Sequence, residues 1–539
     1  MNTNNDYSVC PYKVIHKLLE SLGYGHDLIK CTEARNRFSK IKILGIAITT
    51  YLRAFNLFNN TFNGNFLLYK FIAGNIILIF ESSLDIGKAN NIKDNSIIDS
   101  NHIYDTIVIG SGPGGSIAAY KLLEKEEDVL LIEKGSNFEP MSIEHHSYTQ
   151  TKLQFSNEGL NFCYGNIPII FTEGSTYGGG SEVNSGLYFK LTGKYKKKFL
   201  ELSGIPQQEW DLKEQYVEKK INVQMQPSSY SQNLISTLVN GSNKNSNLVC
   251  KEIPRWRKYN PEIHQGMVET YLNESEHLGL KRLTNSEVLR IDNSKEDYLL
   301  INALYGSEEI TLKSRKVVIS AGTISTPKLL KNSKLLKDRV RLNLHPMTRC
   351  VVDYGKNVND GDLFPPFQSW TKDLNYKFGY SVSTPPYIKA TLSSLGEHNI
   401  NLNPRQLVSY FSSTVFDTSQ GRLFFLFGKT IPFIYVKKQD REKIKKGYKL
   451  LKETLKQGGA CNVWPKKDVS PISTVHIFGS LPINKNRDID KDGALKEDSR
   501  IKICDGSLLP IATWGNPQAV IMVLNEILME NWIRKYYGE

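Results

Sequence analysis

The chain has 539 residues, of which 40% are apolar and 23% are charged, and its formal net charge is +13. This composition excludes a disordered or fibrous chain, and the length predicts two or three structural units. A basic protein of this kind is compatible with binding to nucleic acid or to an anionic membrane. Because Lys, Asn and Ile are abundant throughout, we attribute the charge to solvated faces and expect no nucleic-acid partner.

Seven cysteines are scattered along the chain without a CxxC pair. Their odd number and their spacing argue against a disulfide framework and a zinc site, and they fit a reducing compartment. The first ten residues contain no basic segment followed by an apolar core, so no secretory signal is visible. We therefore expect the protein to be cytoplasmic.

Residues 1–100 contain several helical patterns and predict a mostly helical N-terminal extension. Its longest apolar stretches, 41–58 and 66–80, are both interrupted by polar residues. Neither supplies the roughly 20 clean apolar residues of a membrane span. We expect both stretches to be helices packed on the main body, and the alternative is a peripheral membrane contact through residues 41–80.

The segment 104–135 has the order strand, glycine turn, helix, strand and acid. Residues 106–109 form an apolar run typical of a buried parallel strand, and a GxGxxG turn begins at Gly110. Its glycines permit a tight turn, close approach of a pyrophosphate to the backbone, and packing of the helix on the strand. Glu133 follows about twenty residues later, where an acid hydrogen-bonds ribose hydroxyls. The segment predicts an ADP-containing cofactor, with nicotinamide and flavin both open.

Beyond this unit, short alternating strands lead to another strand, glycine turn and helix at 316–330. From about 345 to 470 the pattern changes to longer aromatic runs, such as 407–415 and 421–427, with one basic helix at 440–457. We interpret 345–470 as a separate, sheet-based substrate domain.

Besides the dinucleotide unit at 104–135, the chain has a glycine-rich segment that ends in Asn at 174–184, a glycine turn and helix at 321–330, and a C-terminal pair at 474–480 and 504–517. These four parts together resemble the glucose-methanol-choline (GMC) oxidoreductases, a family of FAD-dependent alcohol oxidases and dehydrogenases. Their order and spacing match that family from about residue 103 to 535.

The resemblance implies an α/β fold, α+β overall, with a Rossmann-like FAD-binding domain, a separate sheet-based substrate domain and the helical extension. The expected boundaries are 1–100 for the extension, 101–344 for the first part of the FAD-binding domain, including a flavin loop at 174–190, 345–470 for the substrate domain, and 471–539 for the C-terminal part of the FAD-binding domain.

Several positions depart from the family's pattern. Tyr177 stands where an aliphatic residue is usual, Ser175 stands where Arg or Lys is frequent, and the residues after 330 and after Gly479 also differ. Some members link flavin covalently through a His just before the Asn of the glycine-rich segment, where this chain has Val183. The resemblance therefore implies non-covalent FAD.

His476 matches the family's catalytic His, and Asn516 matches the residue that pairs with it around the substrate oxygen. Imidazole titrates near neutral pH, so His476 is the candidate base that removes a hydroxyl proton while hydride passes to flavin N5. Asn516 before Pro517 and an apolar-periodic run also predicts a helix N-cap, with Pro at the first helical position. His345 is interpreted as structural.

The expected partners are a small-molecule alcohol and an electron acceptor, either oxygen or a quinone-like compound. No metal is expected, since His145 and His146 lack metal-ligand spacing. The alternative functions are a flavin-containing lyase or other non-redox enzyme on the same fold, and a basic surface-binding protein with a vestigial cofactor site. The expected cofactor contacts are Gly110, Gly112, Gly115, Glu133, Gly178, Gly179, Ser181, Asn184, Val288, Asp505, Gly506, Asn516 and Pro517.

Overall fold

The computed structural model describes residues 89–94, 99–139, 142–143, 145–225, 232–256, 265–359, 365–395, 397, 400, 402–426, 428–467 and 470–538. The predicted helices of the N-terminal extension, including the stretches within 41–80, lie outside the described residues. Within these ranges, no helix combines the length and the apolar character that crossing a bilayer demands.

The strands of the described residues are numbered in chain order. They are β1 Ile103–Ile109, β2 Val129–Ile132, β3 Asn161–Gly165, β4 Ile169–Phe171, β5 Leu248–Glu252, β6 Lys281–Leu283, β7 Ser286–Asp292, β8 Leu299–Tyr305, β9 Glu308–Ile319, β10 Arg341–Leu344, β11 Met347–Asp353, β12 Phe367–Thr371, β13 Lys377–Tyr380, β14 Leu407–Ser413, β15 Gly421–Leu426, β16 Lys429–Ile434, β17 Asn462–Trp464, β18 Ser473–Thr474, β19 Ile477–Phe478 and β20 Ile501–Ile503.

The α-helices of the same ranges are numbered likewise. They are α1 Pro113–Leu123, α2 Tyr148–Gln154, α3 Gly193–Ser203, α4 Gln207–Lys220, α5 Gln232–Asn243, α6 Asn273–His277, α7 Ser325–Asn332, α8 Pro385–Leu395, α9 Lys438–Gln457 and α10 Gln518–Tyr537.

One sheet holds the dinucleotide-binding unit. Strands β6, β2 and β1, the second half of β9, and β20 are parallel neighbours, and the first half of β9 pairs antiparallel with β8, which pairs with β7. Ile107 and Val317 are fully buried in its centre, as expected for apolar strands covered on both faces. Helix α1 connects β1 to β2, so the predicted α/β unit at 104–135 is confirmed.

A second, mostly antiparallel sheet forms the other layer, with β11 and β14 at its centre. It takes most of its strands from β10 to β19, and β3, β4 and β5 join it from earlier in the chain. Cys350 of β11 and Tyr410 of β14 pack with α5 and α9 on one face. Because successive side chains in a strand point to opposite faces, their neighbours Arg349 and Phe411 point away from those helices.

The C-terminal helix α10 begins beside the cavity. It packs against α1 and α4, and its first intrahelical bond runs from Ile521 N to Pro517 O. Pro517 is therefore the N-cap, and Asn516 makes no capping hydrogen bond. The predicted N-cap at Asn516 was wrong by one residue, because its side-chain oxygen accepts a hydrogen bond from Lys377 instead.

Candidate active site

The glycine turn after β1 is shaped by close backbone contacts. Gly110 has a φ of +96°, and a Cβ there would lie 2.4 Å from Ser320 O. A Cβ at Gly115 would lie 1.9 Å from Gly110 O, so Gly115 permits α1 to pack on the turn. Gly112 differs, since the nearest atom to its Cβ position is 4.0 Å away. Folding alone does not require glycine at position 112, and this open space suits a pyrophosphate at the N-terminus of α1.

Glu133 closes the same turn after β2. Its Oε2 accepts hydrogen bonds from Ser111 N at 2.9 Å and Ser111 Oγ at 2.6 Å, and its Oε1 accepts one from Gly135 N at 2.7 Å. Burial raises the pKa of Glu133, although these hydrogen bonds oppose the shift. The carboxylate is thus fixed at the end of β2, with lone-pair capacity left for a ribose hydroxyl.

The glycine-rich segment after β4 packs directly on the first turn. Gly178 N donates to Ser111 Oγ at 2.9 Å, and a Cβ at Gly179 would lie 2.6 Å from Gly112 Cα. Ser181 is fully buried, with its hydroxyl donating to Gly178 O. Asn184 Nδ2 donates to Gln518 Oε1 at 2.5 Å, which connects this segment to α10.

Asp505 holds the end of β20 against a second glycine turn. Its Oδ2 accepts from Gly322 N at 2.9 Å and Thr326 Oγ1 at 2.5 Å, and its Oδ1 accepts from Ser507 N at 2.8 Å. Burial raises the pKa of Asp505. Its near neighbour Glu173 has a pKa raised to about 7, first by burial and then by the charge of Asp505.

A cavity of about 620 Å³ runs from the glycine turns to the second sheet. Gly115, Gly178 and Ser181 do not line it and serve the packing of the loops instead. The sequence-predicted residues that line it are Gly110, Gly112, Glu133, Gly179, Asn184, Val288, His476, Asp505, Gly506, Asn516 and Pro517.

His476 is held by a second histidine. The Nδ1 atoms of His476 and His345 are 3.2 Å apart, and His345 Nε2 contacts Thr513 O. A carbonyl oxygen only accepts, so His345 Nε2 carries the proton and, in the neutral ring, His345 Nδ1 is an acceptor. His476 Nδ1–H must then donate to it, which leaves His476 Nε2 unprotonated. This tautomer follows from the hydrogen-bond partners.

The pKa values of both histidines favour the neutral rings that this arrangement requires. Burial, followed by the charge of Lys377, lowers the pKa of His345 to about 3. Burial, then His345 and Lys377, holds the pKa of His476 well below its usual range. His476 is thus an unprotonated base at neutral pH.

Lys377 was missed by sequence reasoning. Its side chain is 3% exposed, lines the cavity, and donates from Nζ to Asn516 Oδ1 at 3.2 Å. Burial lowers the pKa of Lys377 to about 7. Lys377 stands between Tyr376 and Phe378 in the sequence, and nothing in this local pattern predicts that its side chain is buried.

Two further polar side chains on the second sheet line the cavity and were also missed. Arg349 belongs to β11, and Gln368 belongs to β12. Gln368 is 2% exposed, and its Oε1 has no hydrogen-bond partner among the described residues. An Arg within the largely apolar run from Met347 to Val352 was the one signal that the sequence offered.

The backbone of the two glycine-rich segments leaves room for FAD in the cavity. A Cβ at Gly180 would meet nothing within 4 Å, and Gly112 is equally free. The N-terminus of an eleven-residue helix, α1, lies at this turn, and His476 and Asn516 line the same cavity. These features fit a dinucleotide in a cavity that the second sheet also lines.

A family model described as GMC oxidoreductase matches residues 104–348. This match agrees with the resemblance to the GMC oxidoreductases, a family of FAD-dependent flavoproteins. The resemblance drawn from the four sequence segments is therefore confirmed.

Individual relatives agree with this resemblance. The chain is 24% identical over 468 residues to an uncharacterized GMC-type oxidoreductase of Sinorhizobium fredii, covering 78% of this chain and 92% of the relative. It is 24% identical over 499 residues to long-chain-alcohol oxidase FAO4A of Arabidopsis thaliana, covering 77% of this chain and 66% of that protein. The crystal structure of pyridoxine 4-oxidase from Mesorbium loti has a TM-score of 0.63 at 15% identity, covering 81% of this chain and 99% of that one. That likeness shows the shared fold.

Proposed function

We propose that this protein oxidises the CH–OH group of a small-molecule alcohol with FAD as its cofactor. The observation that carries the proposal is the contact between His476 Nδ1 and His345 Nδ1 in a cavity that reaches the dinucleotide turn. The tautomer inferred from this contact leaves a lone pair on His476 Nε2 for a substrate proton. An unprotonated base beside a cofactor site is what proton removal from an alcohol requires. The names of the long-chain-alcohol oxidases of Arabidopsis thaliana fit this class of reaction.

In the proposed mechanism, His476 Nε2 accepts the hydroxyl proton of the substrate. Lys377 Nζ donates to Asn516 Oδ1, so the Asn516 amide presents its Nδ2 hydrogens to the substrate oxygen. His345 keeps the His476 proton on Nδ1 and donates its own N–H only to Thr513 O. FAD, when bound, supplies the hydride acceptor.

The residues proposed to hold FAD are the open Gly112 turn, Glu133 at the ribose, and Asn184, Asp505 and the start of α10 further along. Val183 lines the cavity and has no nucleophilic atom, which supports non-covalent attachment. Acid precipitation should therefore release the flavin into the supernatant. Flavin that stays with the precipitate would contradict this part of the proposal.

The test uses the purified, FAD-loaded protein under anaerobic conditions. An alcohol panel should bleach the flavin absorption, and reoxidation by oxygen or a quinone then identifies the acceptor. His476→Ala should slow bleaching by about 10²- to 10⁴-fold, the usual contribution of a general base. His277→Ala is the matched control, since His277 lies exposed on α6 and should leave the rate unchanged.

Two outcomes would overturn the proposal. A colourless protein that does not take up FAD would contradict a flavin enzyme. Flavin that binds but is never reduced by any alcohol would favour the lyase alternative.

We also propose residence in the cytoplasm, which is supported by the five described cysteines being free thiols.

A further inference from the structure

The second sheet places a half-buried positive charge, that of Arg349, on the wall of the cavity. Arg349 lies on β11, opposite Phe411 of β14, which in turn lies opposite Gly379 of β13. Met347, two residues earlier, pairs with Ser473 of β18, three residues before His476. Arg349 therefore points from the same face as Met347, one strand repeat of about 7 Å farther along.

The guanidinium is held only by neutral groups. Arg349 Nε donates to Ser381 Oγ at 3.4 Å, and Arg349 Nη1 donates to Ser473 Oγ. Tyr387 of α8 faces it and also lines the cavity, but a buried phenol is uncharged at neutral pH, and burial raises the pKa of Tyr387 further. Among the described residues, Arg349 forms no salt bridge with a carboxylate, unlike Arg282 or Arg500, which each have one.

A half-buried cation without an anionic partner loses part of its hydration, which is costly. Desolvation alone lowers the pKa of Arg349, yet guanidinium does not release its proton in proteins, so the charge persists. Buried charges are normally paired, and the arrangement here leaves Nη2 without a partner among the described residues. The Arg349 guanidinium therefore presents N–H donors at the cavity wall and has no anionic partner among the described residues.

We propose that Arg349 anchors an oxyanion of the substrate, so that the alcohol oxidised by this protein also carries a carboxylate or a phosphate group. This inference rests on the proposed function and narrows its substrate class. Arg binds both groups through two parallel N–H donors, which fixes orientation as well as position. The substrate hydroxyl would lie at His476, and the anion would lie along β11 at Arg349.

A cofactor-binding role and a purely structural role for Arg349 predict different behaviour of its variants. The cofactor's own charges belong at the Gly110–Gly115 turn of the first sheet, whereas Arg349 belongs to the second. If Arg349 nevertheless served the cofactor, its loss would release FAD. If it were purely structural, its replacement would destabilise the apoprotein, whereas removing an uncompensated, partly desolvated charge leaves stability unchanged or improves it.

The main experiment compares a graded series of ω-hydroxycarboxylates with their methyl esters on the FAD-loaded protein. The acids should be oxidised with the higher kcat/KM. In Arg349→Met, the ratio of kcat/KM for acid over ester should fall about 10- to 100-fold, the value of a charged hydrogen bond. The ratio for Arg349→Lys should lie between those of the wild type and Arg349→Met. Lysine keeps the positive charge but lacks the two parallel N–H donors of the guanidinium. Arg422→Met, at an exposed position of β15, is the matched control and should leave the ratio unchanged.

A binding measurement on the wild-type holoprotein does not depend on any variant. Hexanoate should perturb the flavin spectrum and compete with oxidation, whereas hexanamide should not. Inorganic phosphate as a third competitor separates the two anions: stronger competition by phosphate assigns a phosphate ester, and stronger competition by hexanoate assigns a carboxylate.

Four results would overturn the inference: a preference for esters over acids, an unchanged ratio in Arg349→Met, loss of FAD from that variant, or a lower melting temperature of its apoprotein. Each of these leaves the proposed alcohol oxidation intact. If no alcohol of either kind reduced the flavin, the proposed function itself would fail.

Discussion

His345 and His476 face each other through their Nδ1 atoms at 3.2 Å, with the two rings nearly perpendicular at 88°. The main chain ties them as well, since His345 N donates to His476 O at 3.3 Å. Because His345 Nε2 donates to Thr513 O, one carbonyl sets the protonation pattern of both rings. Sequence reasoning gave His345 a structural role, and the structure places it directly behind the proposed base.

We expect His345→Leu to lower kcat by about 100-fold or more without loss of FAD, because His476 is then free to adopt the wrong tautomer. His345→Gln should recover part of the rate, since its amide can accept from His476 Nδ1 while it donates to Thr513 O. Flavin content and stopped-flow reduction rates measure both effects. Equal rates in the two variants would mean that His345 only fills space.

Lys377 should influence the pH at which His476 becomes protonated and the enzyme loses activity. Lys377 and His345 add to burial in lowering the pKa of His476, so Lys377→Met removes one of these influences and raises that pKa. The acid limb of the pH profile of kcat/KM should therefore move to higher pH. Lys429→Met, at an exposed position of β16, should leave the profile in place. A shift to lower pH would contradict the assigned contact.

Gly112→Ala separates cofactor binding from folding. The added methyl has no atom nearer than 4.0 Å, so the apoprotein should keep its stability to within about 1 kcal/mol. The same methyl would stand in the way of a pyrophosphate, and FAD content should be lost. Calorimetry and the flavin-to-protein absorbance ratio test the two statements. Gly115→Ala is the contrast, since its methyl would lie 1.9 Å from Gly110 O and should prevent folding.

The interface between α1 and α10 depends on one buried ion pair. Lys121 Nζ lies 2.7 Å from Glu526 Oε2 and 2.9 Å from Glu530 Oε1, and Tyr271 OH donates to Glu526 Oε1 at 2.8 Å. Lys121→Met leaves the fully buried Glu526 carboxylate without its cation, which should lower the free energy of unfolding by about 3–5 kcal/mol.

Adding Glu526→Met to Lys121→Met should restore much of that loss, because the pair is then removed as a whole. Lys219→Met, at an exposed position of α4, is the control and should change the free energy of unfolding by less than about 0.5 kcal/mol. Denaturant titration measures all three. If Lys121→Met alone were as stable as the wild type, Glu526 would have found another partner.

The sequence by itself determined the dinucleotide unit, because its information is local. An apolar run, a glycine spacing and an acid about twenty residues later specify a turn whatever the rest of the chain does. For the same reason the helix predicted at 440–457 was close to the observed Lys438–Gln457. His476 and Asn516 were found through family resemblance, and their roles stay predictions.

Only the tertiary structure decided what surrounds His476. His345 and His476 are 131 residues apart in the chain, and Lys377 and Asn516 are 139 apart. No local pattern encodes such pairs, because they depend on how β10, β13 and the start of α10 converge on one cavity. The burial of Lys377 and the partial burial of Arg349 have the same origin. A strand residue's charge is visible in the sequence, but whether its face meets water or a cavity is set by the layer packed against it.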